Sequence, residues 1–161
     1  MPRVIVNSTP LIVLSNINHL DLLQKLYTEI YIPQAVYDEV TEKADSACSQ
    51  IKANTNWIHV CQIKNVSQKR MYQAKLHDGE VEVMILAQEN QNQDLVIIDD
   101  NSAKKTAKYL GLKVTGTLGV ILKAKQQKLL SAVVPLMNQM TQNGFYITEK
   151  VFDYVKSTAG E

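Results

Sequence analysis

Two adjacent carboxylates near the middle of the chain follow a short apolar run. Asp99 and Asp100 come directly after residues 95–98, and a segment of helical propensity begins at about residue 101. A short run rich in β-branched residues predicts a buried parallel strand. Ligands of open α/β sheets bind where the carboxyl ends of strands meet the N-termini of helices. The two acids are therefore expected at a catalytic or binding edge.

Other polar residues are predicted at the same edge of the sheet. Asn7 follows a first strand at residues 3–6, residues 115–117 follow the last strand, and Glu80 begins a helix that leads to the central strand. Oxygen ligands without imidazole or thiolate suit Mg²⁺ or Mn²⁺ rather than zinc. Such ions support displacement at phosphorus because they neutralise a phosphodiester and stabilise the leaving oxygen. The residues thus point to metal-dependent phosphodiester chemistry.

Each candidate residue also has an explanation that involves no catalysis. Asp100, or the residue after it, could cap the following helix, and Asp78 is the simplest cap of the helix that contains Glu80. Glu80 itself could complement the dipole of that helix. Glu82 lies two positions further and is expected to be solvated. Asn7 could be an ordinary cap or turn residue.

Several other kinds of active site are disfavoured. The three histidines are scattered, and neither a Gly-x-Ser-x-Gly motif nor a glycine-rich phosphate loop is present. Cys48 and Cys61 lack the spacing of a zinc site or a disulfide framework, so we expect two free thiols. A small-molecule-binding α/β domain is likewise disfavoured, since no glycine-rich turn could receive a phosphate.

Charge is distributed unevenly along the chain. Residues 1–100 carry 8 basic and 13 acidic side chains, whereas residues 101–161 carry 9 basic and 3 acidic side chains. If the lysines gather beside the acidic edge, they would attract a polyanion towards it. The alternative is that they are ordinary solvated residues of helix faces.

Composition predicts one domain over residues 1–161. The chain is 45% hydrophobic and 20% charged, as in soluble globular proteins, and no linker-like stretch divides it. No apolar run approaches the roughly 20 residues that a membrane span requires. The apolar N-terminal run ends too soon for a signal peptide, so we expect a cytoplasmic protein without a membrane partner.

Strand-like and helix-like segments alternate along the chain. Strands are expected at residues 3–6, 29–32, 57–63, 95–98 and 112–114, although the third is not firmly placed in the sheet. Asn18 is expected to cap the second helix, the acids Asp38 and Glu39 to face outward from the third, and Gly111 to end the helix after the central strand. Residues 67–76 have helical propensity. This alternation predicts a parallel α/β sheet covered by helices on both faces.

Five segments resemble, in family order, those of PIN-domain proteins. They are VIVNSTPLI at residues 4–12, YIPQAVYDEV at 31–40, DGEVE at 78–82, IDDNSA at 98–103 and YLGLKVTGTLG at 109–119. The resemblance covers nearly the whole chain and is closest to a PIN-like branch found widely in bacteria and archaea. It implies a three-layer α/β/α fold with a central, mainly parallel sheet.

The resemblance also implies a Mg²⁺- or Mn²⁺-dependent nuclease that often acts on RNA and often belongs to a toxin–antitoxin pair. By position, Glu80 matches the family's helix acid, and Asp100 matches the acid after the central strand, with Asp99 beside it. Asn7 stands where PIN nucleases usually have their first aspartate, and Thr9 where they commonly have a small hydroxyl residue. PIN domains commonly pair, which suggests a homodimer.

Two departures from the family pattern bear on activity. Asn7 removes one negative charge, so the affinity for metal should fall, although its amide oxygen can still bind an ion. Residues 115–117 offer no counterpart to the fourth acid of many PIN nucleases.

Two functions follow as hypotheses. In the first, the chain is a ribonuclease in which Glu80, Asp99 and Asp100 hold one or two divalent ions. Asn7 and Thr9 complete the site, and RNA is positioned by the lysines after the acids, namely Lys104, Lys105 and Lys108. In the second, the chain is a degenerate PIN-like module that binds RNA or a protein, such as an antitoxin, without cutting.

Overall fold

The protein is an α/β fold with a central sheet of five parallel strands. The computed structural model describes residues 3–69, 77–90 and 94–161. The strands are β1 (Val4–Val6), β2 (Ile30–Pro33), β3 (Ile58–Cys61), β4 (Leu95–Ile97) and β5 (Lys113–Thr115). The helices of the described residues are α1 (Ser8–Asn16), α2 (Asp21–Tyr27), α3 (Gln34–Thr41), α4 (Ser46–Ala53), α5 (Asp78–Gln88), α6 (Asn101–Tyr109), α7 (Thr117–Gln126), α8 (Val134–Gln142) and α9 (Glu149–Thr158), with a 3₁₀ turn at Val66–Gln68.

The strand order is β3-β2-β1-β4-β5, and every neighbouring pair is parallel. The register pairs Val6 with Ile97 and Ile97 with Thr115, so β1, β4 and β5 end at the same level. The sheet lies between layers of helices, which confirms the predicted three-layer α/β/α fold. It also places β3, whose position the sequence left open, at the edge beside β2.

The core is formed by both faces of the two central strands. Ile5 and Val6 of β1 and Val96 and Ile97 of β4 are completely buried. A continuous apolar run has this burial in a parallel sheet because helices cover both sides. Helix α5 is buried all around from residue 79 to residue 87 and packs against α3. This burial brings Glu80 and Glu82 of α5 into contact with protein rather than with bulk water.

An ion pair joins the beginnings of the two central strands. The fully buried Asp94 accepts hydrogen bonds from the backbone N–H of Arg3 at 2.9 Å and from its guanidinium at 2.9 Å. The same guanidinium donates to the carbonyl of Leu86 in α5 at 3.0 Å. These bonds satisfy a carboxylate that would be costly to bury alone. They also hold β1, β4 and α5 together.

Two predicted helix caps are wrong. Asn18 has a φ of 58° and follows the last residues of α1, so it ends α1, and α2 begins after Leu20. Asparagine tolerates this left-handed conformation better than most residues do. His77 rather than Asp78 precedes the first turn of α5. Gly111, with a φ of 81°, ends α6 as predicted.

The remaining predictions concern segments and thiols. From residue 70 onward, the helical segment expected at 67–76 lies outside the described residues. Cys48 and Cys61 are free thiols, as predicted. Within the described ranges, we find no helix of the length and apolarity that crossing a membrane requires.

Candidate functional site

The site is built on the common edge where β1, β4 and β5 end. The backbone N–H of Asn7 donates to the carbonyl oxygen of Ile97 at 3.0 Å, and the backbone N–H of Ile98 donates to the carbonyl oxygen of Thr115 at 2.9 Å. These bonds extend the register one residue beyond the strands, so Asn7 and Asp99 lie on adjacent segments of the chain at this edge. Adjacent strands are about 4.8 Å apart. The predicted convergence of these two polar segments is therefore present in the backbone.

Asn7 is buried and lies close to the first turn of α5. A Cβ on Gly79 would lie 3.6 Å from the Oδ1 of Asn7, 3.8 Å from the Oε1 of Glu39 and 3.3 Å from Val36. Both oxygens therefore lie within 4 Å of one point beside Gly79. A larger side chain at Gly79 would compete for the space that they face.

Glu39 is a candidate site residue that was not predicted from the sequence. Its carboxylate accepts a hydrogen bond from the hydroxyl of Ser8, which is buried next to Asn7. Helical spacing predicted correctly that Glu39 is exposed, but it could not reveal this contact across 31 positions. One signal was available, since Glu39 lies one turn after Val36 and next to Val40, at the border of the buried face.

Glu80 lies in the first turn of α5 and is mostly buried. Its Oε1 accepts a hydrogen bond from the backbone N–H of His77 at 3.1 Å, as in a capping box. Its second oxygen, Oε2, has no hydrogen-bond partner among the described residues. Glu80 directly follows Gly79, the residue beside which the Oδ1 of Asn7 lies. Oε1 thus caps the helix, and Oε2 is the oxygen that could bind a metal ion.

Glu82 is not solvated, contrary to prediction. It is only 8% exposed, and its Oε1 accepts a hydrogen bond from the backbone N–H of Ala35 at 3.0 Å. Its Oε2 lies 3.0 Å from the ammonium of Lys69. The prediction was wrong because α5 is buried on all sides, so Glu82 faces the N-terminus of α3, where an anion is favoured.

The two neighbouring aspartates point to different helices. Asp99 accepts hydrogen bonds from the backbone N–H of Thr117 at 2.8 Å and from its hydroxyl at 2.6 Å. Asp100 is exposed, and its Oδ2 accepts a hydrogen bond from the backbone N–H of Ala103 at 2.9 Å. Asp99 therefore holds the N-terminus of α7, and Asp100 caps α6. Asp100 takes the capping role that the sequence analysis weighed as an alternative.

The predicted RNA-contacting residues are spread over the surface. Thr9 is exposed and lines a cavity of about 210 Å³ with residues of α8, including Met140. Lys104 is half-buried beside Asp99, whereas Lys105 and Lys108 are exposed on α6. Lys104 is therefore the lysine of the three that the structure brings to the acidic edge.

The candidate acids Glu39 and Asp99 line two different openings. A cleft of about 700 Å³ is lined by four carboxylates and one lysine, namely Asp38, Glu39, Asp78, Glu82 and Lys69, together with His77 and Gly79. Asp99 instead lines a cavity of about 320 Å³ with Lys104. Neither Asn7 nor Glu80 is among the residues that line these two openings.

The donor atoms suit a hard divalent cation, but they are sparse. They are oxygens of Asn7, Glu39, Glu80 and Asp99, without imidazole or thiolate. Within residues 3–69, 77–90 and 94–161, no three His, Cys, Asp or Glu side chains are grouped closely enough to hold a metal by themselves. Mg²⁺ usually keeps several waters and binds through one or two carboxylates plus substrate phosphates, so a sparse donor set is compatible with it.

Comparison with known proteins identifies the family. A family model described as a PIN domain matches residues 3–161, and the chain therefore belongs to the PIN-domain family. No curated protein is similar enough to match this chain. Membership confirms the resemblance on which the fold was predicted. PIN domains generally use divalent metal ions, and the family suggests a nuclease-type fold.

Proposed function

We propose that this PIN-domain protein is a divalent-metal-dependent ribonuclease. The observation that carries the proposal is the approach of Asn7 and Glu39 to one point beside Gly79, each with a side-chain oxygen within 4 Å of it. Glu80 comes directly after Gly79 in the chain, and Asp99 follows β4, the strand that pairs with β1. The candidate oxygen donors thus come from four separate segments, and two of them, Asn7 and Asp99, follow strands that end at the edge where α/β proteins bind their ligands.

Mg²⁺ or Mn²⁺ would be held by the amide oxygen of Asn7 and the carboxylates of Glu39, Glu80 and Asp99. When bound, the ion would neutralise the phosphodiester and stabilise the leaving oxygen. Asp100 is exposed beside Asp99 and adds negative charge at the rim of the site while it caps α6.

The residues around these donors orient the carboxylates and the substrate. The Ser8 hydroxyl holds Glu39, and the two hydrogen bonds from Thr117 hold Asp99. Such bonds fix a carboxylate before substrate arrives, which lowers the reorganisation that the reaction requires. The RNA backbone is positioned by the exposed Thr9 and by the lysines of α6, namely Lys104, Lys105 and Lys108.

Calorimetric titration of Mn²⁺ tests the ligand assignment. Glu39→Gln should abolish measurable binding, and Asn7→Asp should tighten binding about tenfold because it adds a ligand charge. Asp38→Asn is the matched control, since it removes one charge from the neighbouring position of α3, where Asp38 is bonded to Gln34 at 2.8 Å. Equal losses in Glu39→Gln and Asp38→Asn would contradict the assignment, because general charge would then explain both.

Cleavage is measured on the same variants with single-stranded RNA. The wild type should hydrolyse RNA with Mn²⁺ or Mg²⁺ and stop with EDTA. Asn7→Asp should be faster, and Glu39→Gln inactive. No cleavage by either the wild type or Asn7→Asp would contradict the nuclease and favour the second hypothesis.

The second hypothesis is a module that binds RNA or protein without cutting. It is favoured by the uncharged amide of Asn7 and by the absence, within the described ranges, of a group of three metal-binding side chains. This module would hold RNA equally well with Mn²⁺ and with EDTA.

A toxin role, an antitoxin partner and a homodimer are further proposals that rest on family resemblance. Light scattering of the purified protein tests the dimer. Growth arrest on expression, relieved by Glu39→Gln, tests the toxin. Growth unaffected by an active nuclease would contradict the toxin role alone.

A further inference from the structure

The cavity beside Asp99 has features that the proposed chemistry does not use. It has a volume of about 320 Å³ and lies between the N-termini of α6 and α7 and the segment that joins α8 to α9. We call it the Tyr146 cavity. Its polar end is formed by Asp99 and Lys104, and its apolar end by Phe145, Tyr146 and Ile147. One end therefore belongs to the acidic edge, and the other is aromatic.

The polar end depends on a glycine. A Cβ on Gly116 would lie 2.8 Å from the Oδ1 of Asp99 and 2.9 Å from the ammonium of Lys104, so a side chain there would displace one of them. In the part of the chain that the structure describes, no carboxylate lies within 4 Å of the Lys104 ammonium. Lys104 thus presents a half-buried cation beside the candidate catalytic acid, available to an anionic ligand.

The apolar end presents an aromatic ring on an anchored segment. Tyr146 is 85% exposed, whereas its neighbours Phe145 and Ile147 pack against the core. The backbone N–H of Phe145 donates to Met140 at 2.9 Å. On the other side, Thr148 caps α9. An exposed ring held on both sides is a platform on which a planar ligand can stack without ordering a loop.

We propose that the Tyr146 cavity binds one unpaired nucleobase of single-stranded RNA, stacked on Tyr146, with the adjoining phosphate at Lys104. Bases stack readily on aromatic side chains, and lysine binds phosphate as a point charge. The volume of the cavity is at the small end of the range for ligand pockets, which suits one nucleotide unit. Asp99 would then lie beside the phosphodiester of the bound nucleotide.

This arrangement selects single strands. A base inside a duplex cannot reach a side pocket unless it is first unpaired and unstacked. The inference rests on the proposed function for the bond that is cut, but the binding step requires no metal. Binding and hydrolysis can therefore be tested separately.

The test uses a short single-stranded RNA with one 2-aminopurine, whose fluorescence falls on stacking, titrated with the 161-residue chain in EDTA. The wild type should bind and quench the probe. Tyr146→Ala should bind about tenfold more weakly and lose the quenching, whereas Tyr146→Phe should keep both. Tyr154→Ala is the matched control, since Tyr154 is 69% exposed but does not line the cavity.

A second variant tests the phosphate contact. Lys104→Gln should weaken binding and lower the slope of log affinity against log salt by about 1, because one phosphate contact is lost. The matching duplex RNA, added without the probe, should not relieve the quenching of the labelled single strand. Unchanged affinity and quenching in Tyr146→Ala, or an equal loss in Tyr154→Ala, would overturn the proposal.

The outcomes separate the two proposals. Quenching that depends on Tyr146 in a protein that never cleaves RNA with Mn²⁺ would support the cavity and contradict the nuclease. Cleavage with a KM that Tyr146→Ala leaves unchanged would support the nuclease and contradict the cavity.

Discussion

Asp99 allows the structural and functional roles of one carboxylate to be separated. It accepts two hydrogen bonds from Thr117, which is completely buried at the start of α7. In Asp99→Asn, the amide oxygen can still accept from the backbone N–H, and the amide N–H₂ can donate to the Thr117 hydroxyl. In Asp99→Ala, both acceptors are lost, and two buried donors remain unpaired.

The expected free energies of unfolding follow from these bonds. A hydrogen bond to a charged group contributes about 1.5 to 3 kcal/mol, and a neutral one about 0.5 to 1.5 kcal/mol. Each bond that becomes neutral loses about 1 to 1.5 kcal/mol, so the two together should lower stability by about 2 kcal/mol in the partly exposed Asp99→Asn. Two lost bonds should lower it by about 3 to 4 kcal/mol in Asp99→Ala, at the lower end of the range because Asp99 is partly exposed.

Urea unfolding followed by circular dichroism measures both losses. Thr117→Val, which keeps the backbone N–H but lacks the hydroxyl, should lie between the two variants. Calorimetry with Mn²⁺ should show weaker binding in both Asp99→Asn and Asp99→Ala than in the wild type, since both variants lack the charge. Equal stabilities of the two variants would refute the hydrogen-bond reasoning, and wild-type Mn²⁺ affinity in Asp99→Asn would refute Asp99 as a ligand.

Three further predictions concern groups outside the site. Asp94→Asn leaves the guanidinium of Arg3 without its charged partner, so urea unfolding should show a free energy of unfolding lower by about 3 kcal/mol. A decrease below about 1 kcal/mol, the value of a surface ion pair, would contradict a buried pair. Burial raises the pKa of Cys61, so iodoacetamide should alkylate it more slowly at pH 8 than it does free cysteine, and an equal rate would oppose this. Hydrogen bonds from Lys125 and from backbone N–H groups lower the pKa of Glu161 below its ordinary value of 4.5. The stabilisation of the folded protein by these bonds is therefore complete above pH 4.5 and is lost as the pH falls through the lowered pKa. Between pH 5 and pH 3 the Tm should fall further in the wild type than in Glu161→Gln, and parallel curves of Tm against pH would contradict the assignment.

The sequence was sufficient for the architecture because the signals for strands and helices are local. Residues 4–6 and 95–97 are continuous apolar runs, which only a strand covered on both faces accommodates. Helical segments between the strands imply parallel pairing, and parallel pairing brings Asn7 and Asp99 to one edge. The five segments that resemble PIN domains imply the same fold and a metal-dependent nuclease.

Helix periodicity was misleading where burial comes from the rest of the protein. Glu82 was expected in water because the pattern of one helix distinguishes an apolar side from a polar side. Helix α5 has no exposed residue from 79 to 87, since it packs against α3 as well as against the sheet. The ion pair with Lys69 and the bond to Ala35 depend on that packing and leave no local signal.

Only the tertiary structure decided which oxygens meet. Glu39 reaches Ser8 across 31 positions, and the Asn7 and Glu39 oxygens face the same point because Gly79 lets α5 approach them. Asp99 and Asp100 are the same residue type at neighbouring positions, yet the first binds Thr117 and the second caps α6. Sequence determined the elements and the edge of the sheet, since these depend on local pattern and register. Side-chain contacts between distant elements depend on how the helices pack, which the local pattern does not specify.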